Sequence, residues 1–306
     1  MFLKTLRMLA LTLVALLPAF AQAEELQAIE ALISHDTRLM VFSPHPDDES
    51  LGAGGLIQRV LNAGGKVKVV FITSGDGFPE GVEKEGHISH PTAKDYTRYG
   101  EERRLEALKA ITTLGMKERD AIFLGFPDGG LTYLRLRFRA HPMCAFRSPF
   151  TRKTHPPVFE IIVPRTDYCG EDLIEEIERV LDGFRPNLLA VTPPEDQHPD
   201  HSSTYYFVKE ALTHLTRKHP NFKPVVLNFL IHYGQWPIGQ GAGTGSLLNP
   251  PDNFPDKGKQ WISFTLKPEE VITKRKAILK HHTQVLVMGR FLLSFARSNE
   301  LFIPDN

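Results

Sequence analysis

Two short stretches carry most of the chemistry this chain can offer. Pro44-His-Pro-Asp-Asp-Glu49 crowds one imidazole and three carboxylates into a few residues, and Pro193-Pro-Glu-Asp-Gln-His-Pro-Asp-His201 adds two more imidazoles among acids. His45 with Asp48, and His198 with His201, each stand three residues apart at a helix start, so either pair can present two metal ligands together. Catalytic zinc usually takes three protein ligands, His and carboxylate among them, and keeps a position for water. Two His and one Asp also suit non-haem Fe(II), so the ligand types leave the metal open. A further carboxylate beside the water is needed as general base, because deprotonating water is the costly step at neutral pH. One His-Pro or Asp-Asp pair alone is more often structural; two such clusters at two strand ends point to a site.

The elements that must position these residues follow from apolar runs. Leu39 to Phe42 has the length and apolarity of a buried parallel strand, and Ser50 to Leu61 puts Leu51, Leu56, Ile57, Val60 and Leu61 on one helical face. Asn187 to Thr192 is a second buried-strand run, followed by a helical stretch from Ser202. Ligands of open α/β sheets bind outside the carboxyl ends of the strands, often against helix N-termini, so the two clusters are expected to meet at one edge. Lys66 to Thr73 reads as a strand completing a right-handed β-α-β unit. Ala121 to Gly125 is another, and runs into Phe126-Pro-Asp-Gly-Gly-Leu131, which brings Asp128 to the same rim. Ser74 to Arg98 reads as a loop, Val158 to Val163 as a strand, and Val225 to Tyr233 and Trp261 to Leu266 as later strands, with helices near Tyr99 to Leu114, Glu171 to Leu181, Pro268 to His282 and Gln284 to Phe295. The expected fold class is α/β: a Rossmann-like three-layer open, mostly parallel sheet with helices on both faces and long loops at the carboxyl edge. Gly52, Gly54 and Gly55 do not make the dinucleotide fingerprint, and the acids before them would repel a pyrophosphate, which excludes NAD binding.

The first 23 residues read as a secretory leader, with Lys4 and Arg7, an apolar run from Met8 to Leu17, and Ala21-Gln22-Ala23 as a cleavage signal. Residues 24–306 are then expected to form a single exported domain, periplasmic or secreted, without a stable membrane span. Removing Lys4 and Arg7 from the 36 basic residues leaves 34 against 36 acidic ones, a net charge near −2 that suggests no nucleic-acid partner. Cys144 and Cys169 could form a disulfide outside the cytoplasm. The segment from Thr132 to Pro157 interleaves arginines with Phe138, Phe146 and Phe150; it reads more readily as a solvated surface loop than as a polymer-binding insertion.

The paired motifs Pro44-His-Pro-Asp-Asp-Glu49 and His198-Pro-Asp-His201 resemble the signatures of the PIG-L/LmbE-like deacetylases. Arg103-x-x-Glu106-x-x-x-Ala110-x-x-x-Leu114-Gly115 and Phe123-Leu-Gly-Phe-Pro-Asp-Gly-Gly130 are similar to that family's intervening helix and strand, so the resemblance covers roughly residues 39–212, interrupted near 132–182. The resemblance implies His45, Asp48 and His201 as ligands of Zn2+, with Fe2+ as the alternative ion. It implies Asp47 as the general base for the attacking water. His198, held by Asp200, would stabilise the oxyanion or protonate the leaving amine, and Arg103 and Asp128 would bind the sugar. The implied reaction removes the N-acetyl group from an N-acetylglucosamine-containing glycan or glycoconjugate. Alternatives are a metal-dependent amidase acting on a non-sugar acyl amide, a metal-free glycosidase using Asp47 with Glu49 or Glu195, and a non-catalytic glycan-binding protein. The insertion and the C-terminal part from about residue 225, including His232-Tyr-Gly-Gln-Trp-Pro237, have no counterpart in the motifs. Tyr233 and Trp236 could equally stack on a sugar or pack in the core. His281 and His282 are adjacent on a helix and point apart, which argues against a metal pair.

Overall fold

The computed structural model describes residues 29–305, apart from 143, 145, 238, 240, 242–244, 256, 257 and 259; the leader expected at residues 1–23 lies outside the described residues. Apolar runs become strands buried on both faces, as a parallel sheet between helical layers requires. β1 (Arg38–Ser43) pairs in parallel with β2 (Lys66–Thr73), and β2 with β3 (Ala121–Phe126). On its other edge β1 pairs with β4 (Leu188–Val191), and β4 with β5 (Val225–Asn228). The sheet is completed by two antiparallel strands, β6 (Ile262–Thr265) and β7 (Asn299–Pro304), in the order β3-β2-β1-β4-β5-β7-β6. Because the chain runs outward from β1 to β3 and then returns to β4, the order reverses between β1 and β4, where a doubly wound sheet opens its crevice.

Alternate residues of each strand feed two cores. Leu39, Val41, Val69 and Phe71 join Leu56, Ile57 and Val60 of α1 (Asp48–Asn62) and Ala107 and Ile111 of α3 (Ala93–Thr113), on the face that α7 (Pro268–Ile278) and α8 (His282–Leu293) also cover. Met40, Phe42, Val70 and Ile72 face α5 (Gly170–Phe184) and α6 (Pro199–Lys218). Each such fully buried side chain is worth about 1.5–3 kcal/mol, which fixes the strand ends in place. Gly52 lets α1 lie against Phe229: a Cβ there would fall 2.0 Å from the phenyl ring. The C-terminal part is tied to α1 by Glu300 of β7, which accepts from the Gly55 and Leu56 amides of α1 and is itself paired, buried, with Lys274 Nζ of α7 at 2.6 Å.

Several expectations are corrected. The stretch read as a loop, Ser74 to Arg98, holds α2 (Pro79–Gly86) and the first turn of α3, which starts at a capping interaction in which the Thr92 amide donates to Asp95 at 2.8 Å. Val158 to Val163 is not a strand. Its residues Val158–Glu160 form a 3₁₀ turn, and the Ile162 and Val163 amides donate to Glu176 Oε1 of α5 instead of to a neighbouring strand. β5 ends at Asn228 instead of Tyr233, and β7 was not anticipated. The insertion begins with the short α4 (Leu131–Leu136) and is joined to the start of α5 by a Cys144–Cys169 disulfide with Cα atoms 4.9 Å apart. Trp236 is a core residue whose Nε1 donates to the Asn249 carbonyl. Among the described residues no helix is long and apolar enough to cross a membrane.

Candidate metal centre

The turn after β1 is stitched down almost peptide by peptide. Ser43 Oγ donates to the His45 carbonyl at 2.7 Å and accepts from the Glu49 amide at 3.1 Å. Thr73 Oγ1 donates to the Pro44 carbonyl, and Arg103 Nη2 to that of Pro46. Asp48 Oδ2 accepts from the His45 amide at 2.9 Å, and Glu49 Oε2 from that of Asp47 at 3.0 Å. The result is a backbone that a free chain avoids: Asp47, just before α1, has φ 147° and ψ −30°. Such a conformation costs about 1–3 kcal/mol and persists only where the surroundings over-determine it. The turn after β4 is relaxed by contrast. Pro199 opens α6, and His198 caps it, its Nδ1 accepting from the Asp200 amide at 3.3 Å.

Three predicted side chains from these two turns converge. His45 Nδ1 lies 3.0 Å from His201 Nε2, and Asp48 Oδ2 lies 3.3 and 3.2 Å from those same nitrogens. A tetrahedral ion with bonds of about 2.0–2.1 Å has ligand-to-ligand edges of about 3.3 Å, so the three atoms stand where such an ion would be gripped. The remaining ring nitrogens face carboxylates, which sets the tautomers a metal needs. His201 Nδ1 lies 3.2 Å from Asp196 Oδ2, and His45 Nε2 lies 3.2 Å from Asp128 Oδ1 and 3.4 Å from Asp200 Oδ2. Electrostatics agree. Burial works against the charged imidazole, yet Asp48 and Asp196 outweigh it and push His201 up to about 9, so the crevice favours a cation. Burial, offset by Arg103 and reinforced by Asp48, lifts the Asp47 carboxyl to about 6, in the range suited to a base. His198 is held neutral, well below the usual imidazole range, by burial and by His45, His201 and His232 around it.

Three of the expected site residues have contacts that the sequence did not show. Asp200 does not hold the His198 ring through its carboxylate: those oxygens accept from the Gly129 and Leu131 amides at 2.7 and 3.1 Å and face His45, because the start of α4 packs beside the start of α6. Arg103 is buried beside the site, donating to the Gly75 and Pro46 carbonyls at 2.8 Å each with Asp47 at 3.3 Å, so it braces the first turn. Asp128, likewise buried, accepts from the Gly77 amide at 2.7 Å and faces His45. Sequence reasoning missed Asp196, which also accepts from the Ile231 and His232 amides and so anchors the strand-end segment after β5. It gave no role to His232, whose ring lies 4.9 Å from that of His201 and stacks on Phe291. Asp196 was visible inside the second cluster; its partners lie about 35 residues on, where no local pattern points back.

A doubly wound α/β sheet with a His, Asp, His cluster at its switch point defines the class of protein. The chain belongs to the PIG-L family: residues 40–212 match the model of the GlcNAc-PI de-N-acetylases, a family of N-deacetylating enzymes. It is 32% identical over 183 residues to the 1D-myo-inositol 2-acetamido-2-deoxy-alpha-D-glucopyranoside deacetylase of Nakamurella multipartita, covering 57% of this chain and 54% of that protein, so the match spans about half the relative's length. The protein of the same name from Mycobacterium sp. (strain KMS) is 28% identical over 87% of this chain and 80% of its own. Among solved structures, the N,N'-diacetylchitobiose deacetylase of Pyrococcus horikoshii has a TM-score of 0.53 at 17% identity, covering 88% of this chain and 84% of that one. The zinc inhibited form of teicoplanin deacetylase Orf2 has a TM-score of 0.52 at 17% identity, covering 88% and 97%. At these identities the likeness to solved structures is one of fold.

Proposed function

We propose that this protein is a metal-dependent hydrolase that removes the N-acetyl group from an N-acetylglucosamine-containing glycan or glycoconjugate, giving acetate and a free amino sugar. The observation that carries the reading is the convergence of His45 Nδ1, Asp48 Oδ2 and His201 Nε2 within 3.0–3.3 Å, with Asp47 beside them, in a chain of this family. Those three residues would hold the ion, zinc first and Fe(II) as the alternative. When bound, it supplies Lewis acidity at the acyl oxygen and lowers the pKa of water to about 7. Asp47 takes the proton as the water oxygen bonds to the acyl carbon. His198 accepts the Asp200 amide at Nδ1, so its proton sits on Nε2, where it can be donated to the developing oxyanion. The C–N bond then breaks as the proton Asp47 took from the water passes to the nitrogen, so the amine leaves and Asp47 is again a carboxylate. The relatives' names support an N-acetylglucosamine moiety, while the insertion at 132–157 and the C-terminal part are proposed to form the walls that choose the aglycone.

The site is proposed to work outside the cytoplasm, supported by the leader-like first 23 residues and the Cys144–Cys169 pair. Mass measurement of the protein from separated cell fractions tests this: a mature chain starting at Glu24 outside the cytoplasm is expected, and an intact cytoplasmic chain contradicts it. The chemistry is tested by acetate release from N-acetylglucosamine oligomers and conjugates beside a panel of non-sugar acyl amides. Release confined to the amides overturns the sugar reading.

A further inference from the structure

Besides His232, the C-terminal part of the chain, outside the family match, reaches the first turn through His281, which the mechanism does not use. His281 lies in the break between α7 and α8, 1% exposed, and its Nε2 is 3.2 Å from Glu49 Oε1 and 3.3 Å from Ser50 Oγ. Glu49, fully buried, has its two oxygens committed to different tasks. Oε2 accepts the Asp47 amide at 3.0 Å; Oε1 accepts Ser50 Oγ at 2.7 Å and faces His281. The Asp47 peptide is the strained one, at φ 147°, so whatever fixes Glu49 fixes the direction in which the Asp47 carboxylate leaves the backbone. His281 Nδ1 is buried without a hydrogen-bond partner, so the proton of the neutral ring belongs on Nε2, where Glu49 can accept it. Its neighbour His282 is exposed and lines a surface cleft with Glu83 and His87.

We infer that His281 is a positioning residue for the reaction: through Glu49 it holds the strained Asp47 peptide, so the α7–α8 junction completes a turn that the first motif alone does not lock. This rests on the deacetylase reading for its kinetic consequence but not for its structural one. A misplacement of about 1 Å at a reacting group costs on the order of 10²-fold in rate, which sets the expected size of the effect.

Two substitutions of similar volume separate the hydrogen bond from packing. His281→Gln keeps a donor towards Glu49, and His281→Met fills the space without one. In His281→Met, kcat for acetate release is expected to fall about 10²-fold with KM within about twofold, and exchange of the Asp47 amide, followed by NMR in the metal-free protein, to speed up at least about tenfold. His281→Gln is expected to return both readouts towards wild type. Equal behaviour of the two variants, whether both resemble wild type or both lose rate and protection, overturns the inference. If wild-type protein releases no acetate from any sugar, the deacetylase reading fails, and the amide-exchange comparison still decides the role of His281.

Discussion

The two turns that build the centre solve the same problem in opposite ways. The turn after β1 is strained at Asp47 and held by Ser43, Thr73, Arg103 and Glu49, whereas the turn after β4 is an ordinary proline-started helix entrance with His198 as its cap. The difference follows from what each must deliver. Regular helix geometry already sets His198 and His201 three residues apart on one side, so the second turn can present both rings without distortion. Adjacent residues do not share a face, and the first turn must bring Asp47 and Asp48 to the same small volume. Bending the Asp47 peptide out of its preferred region achieves this, and the buried polar braces supply the energy.

Breaking the shared product of the two turns has the largest expected effect. Asp48→Ala removes one of the three proposed ligands and leaves two imidazoles facing each other; metal content by elemental analysis is expected to fall to background and acetate release to be lost. Asp47→Asn tests the first turn alone: kcat falls about 10²–10⁴-fold while metal content stays at the wild-type level. Asp196→Asn tests the second turn through its support of His201, and metal affinity measured by competition with a chelating dye weakens about 10–100-fold. The subtlest comparison concerns strain. Asp47→Gly places a residue at ease with φ 147° where the turn needs it but leaves buried Arg103 without its carboxylate, so in denaturant unfolding it is expected to be more stable than Asp47→Ala, by up to about 1–3 kcal/mol, although both are inactive. Asp200→Gly, at the relaxed turn, instead loses the acceptor for the Gly129 and Leu131 amides and is destabilised.

The contrast also explains what could be read from the chain. Parallel strands buried on both faces announce themselves as apolar runs, and β1 to β5 were found that way, with their carboxyl ends locating the site. Local apolarity misled at Val158 to Val163, where Val158 and Phe159 stay 77% and 72% exposed and the backbone is held by one side chain, Glu176. β7 escaped notice because Asn299–Pro304 mixes polar and apolar residues and becomes a strand only by lying between β5 and β6. In the site, the convergence of His45, Asp48 and His201 was legible from spacing together with the family resemblance. The supporting contacts were not, since Glu49 meets His281 and Asp196 meets Ile231 across segments whose pairing only the folded sheet decides.

The most direct test of the account is acetate release from N-acetylglucosamine conjugates by purified protein after chelation and after restoring zinc or iron, with Asp47→Asn alongside. Release is expected to disappear on chelation, to return with the metal, and to stay lost in metal-replete Asp47→Asn. Release that survives complete metal removal, or that Asp47→Asn leaves unchanged, would contradict it.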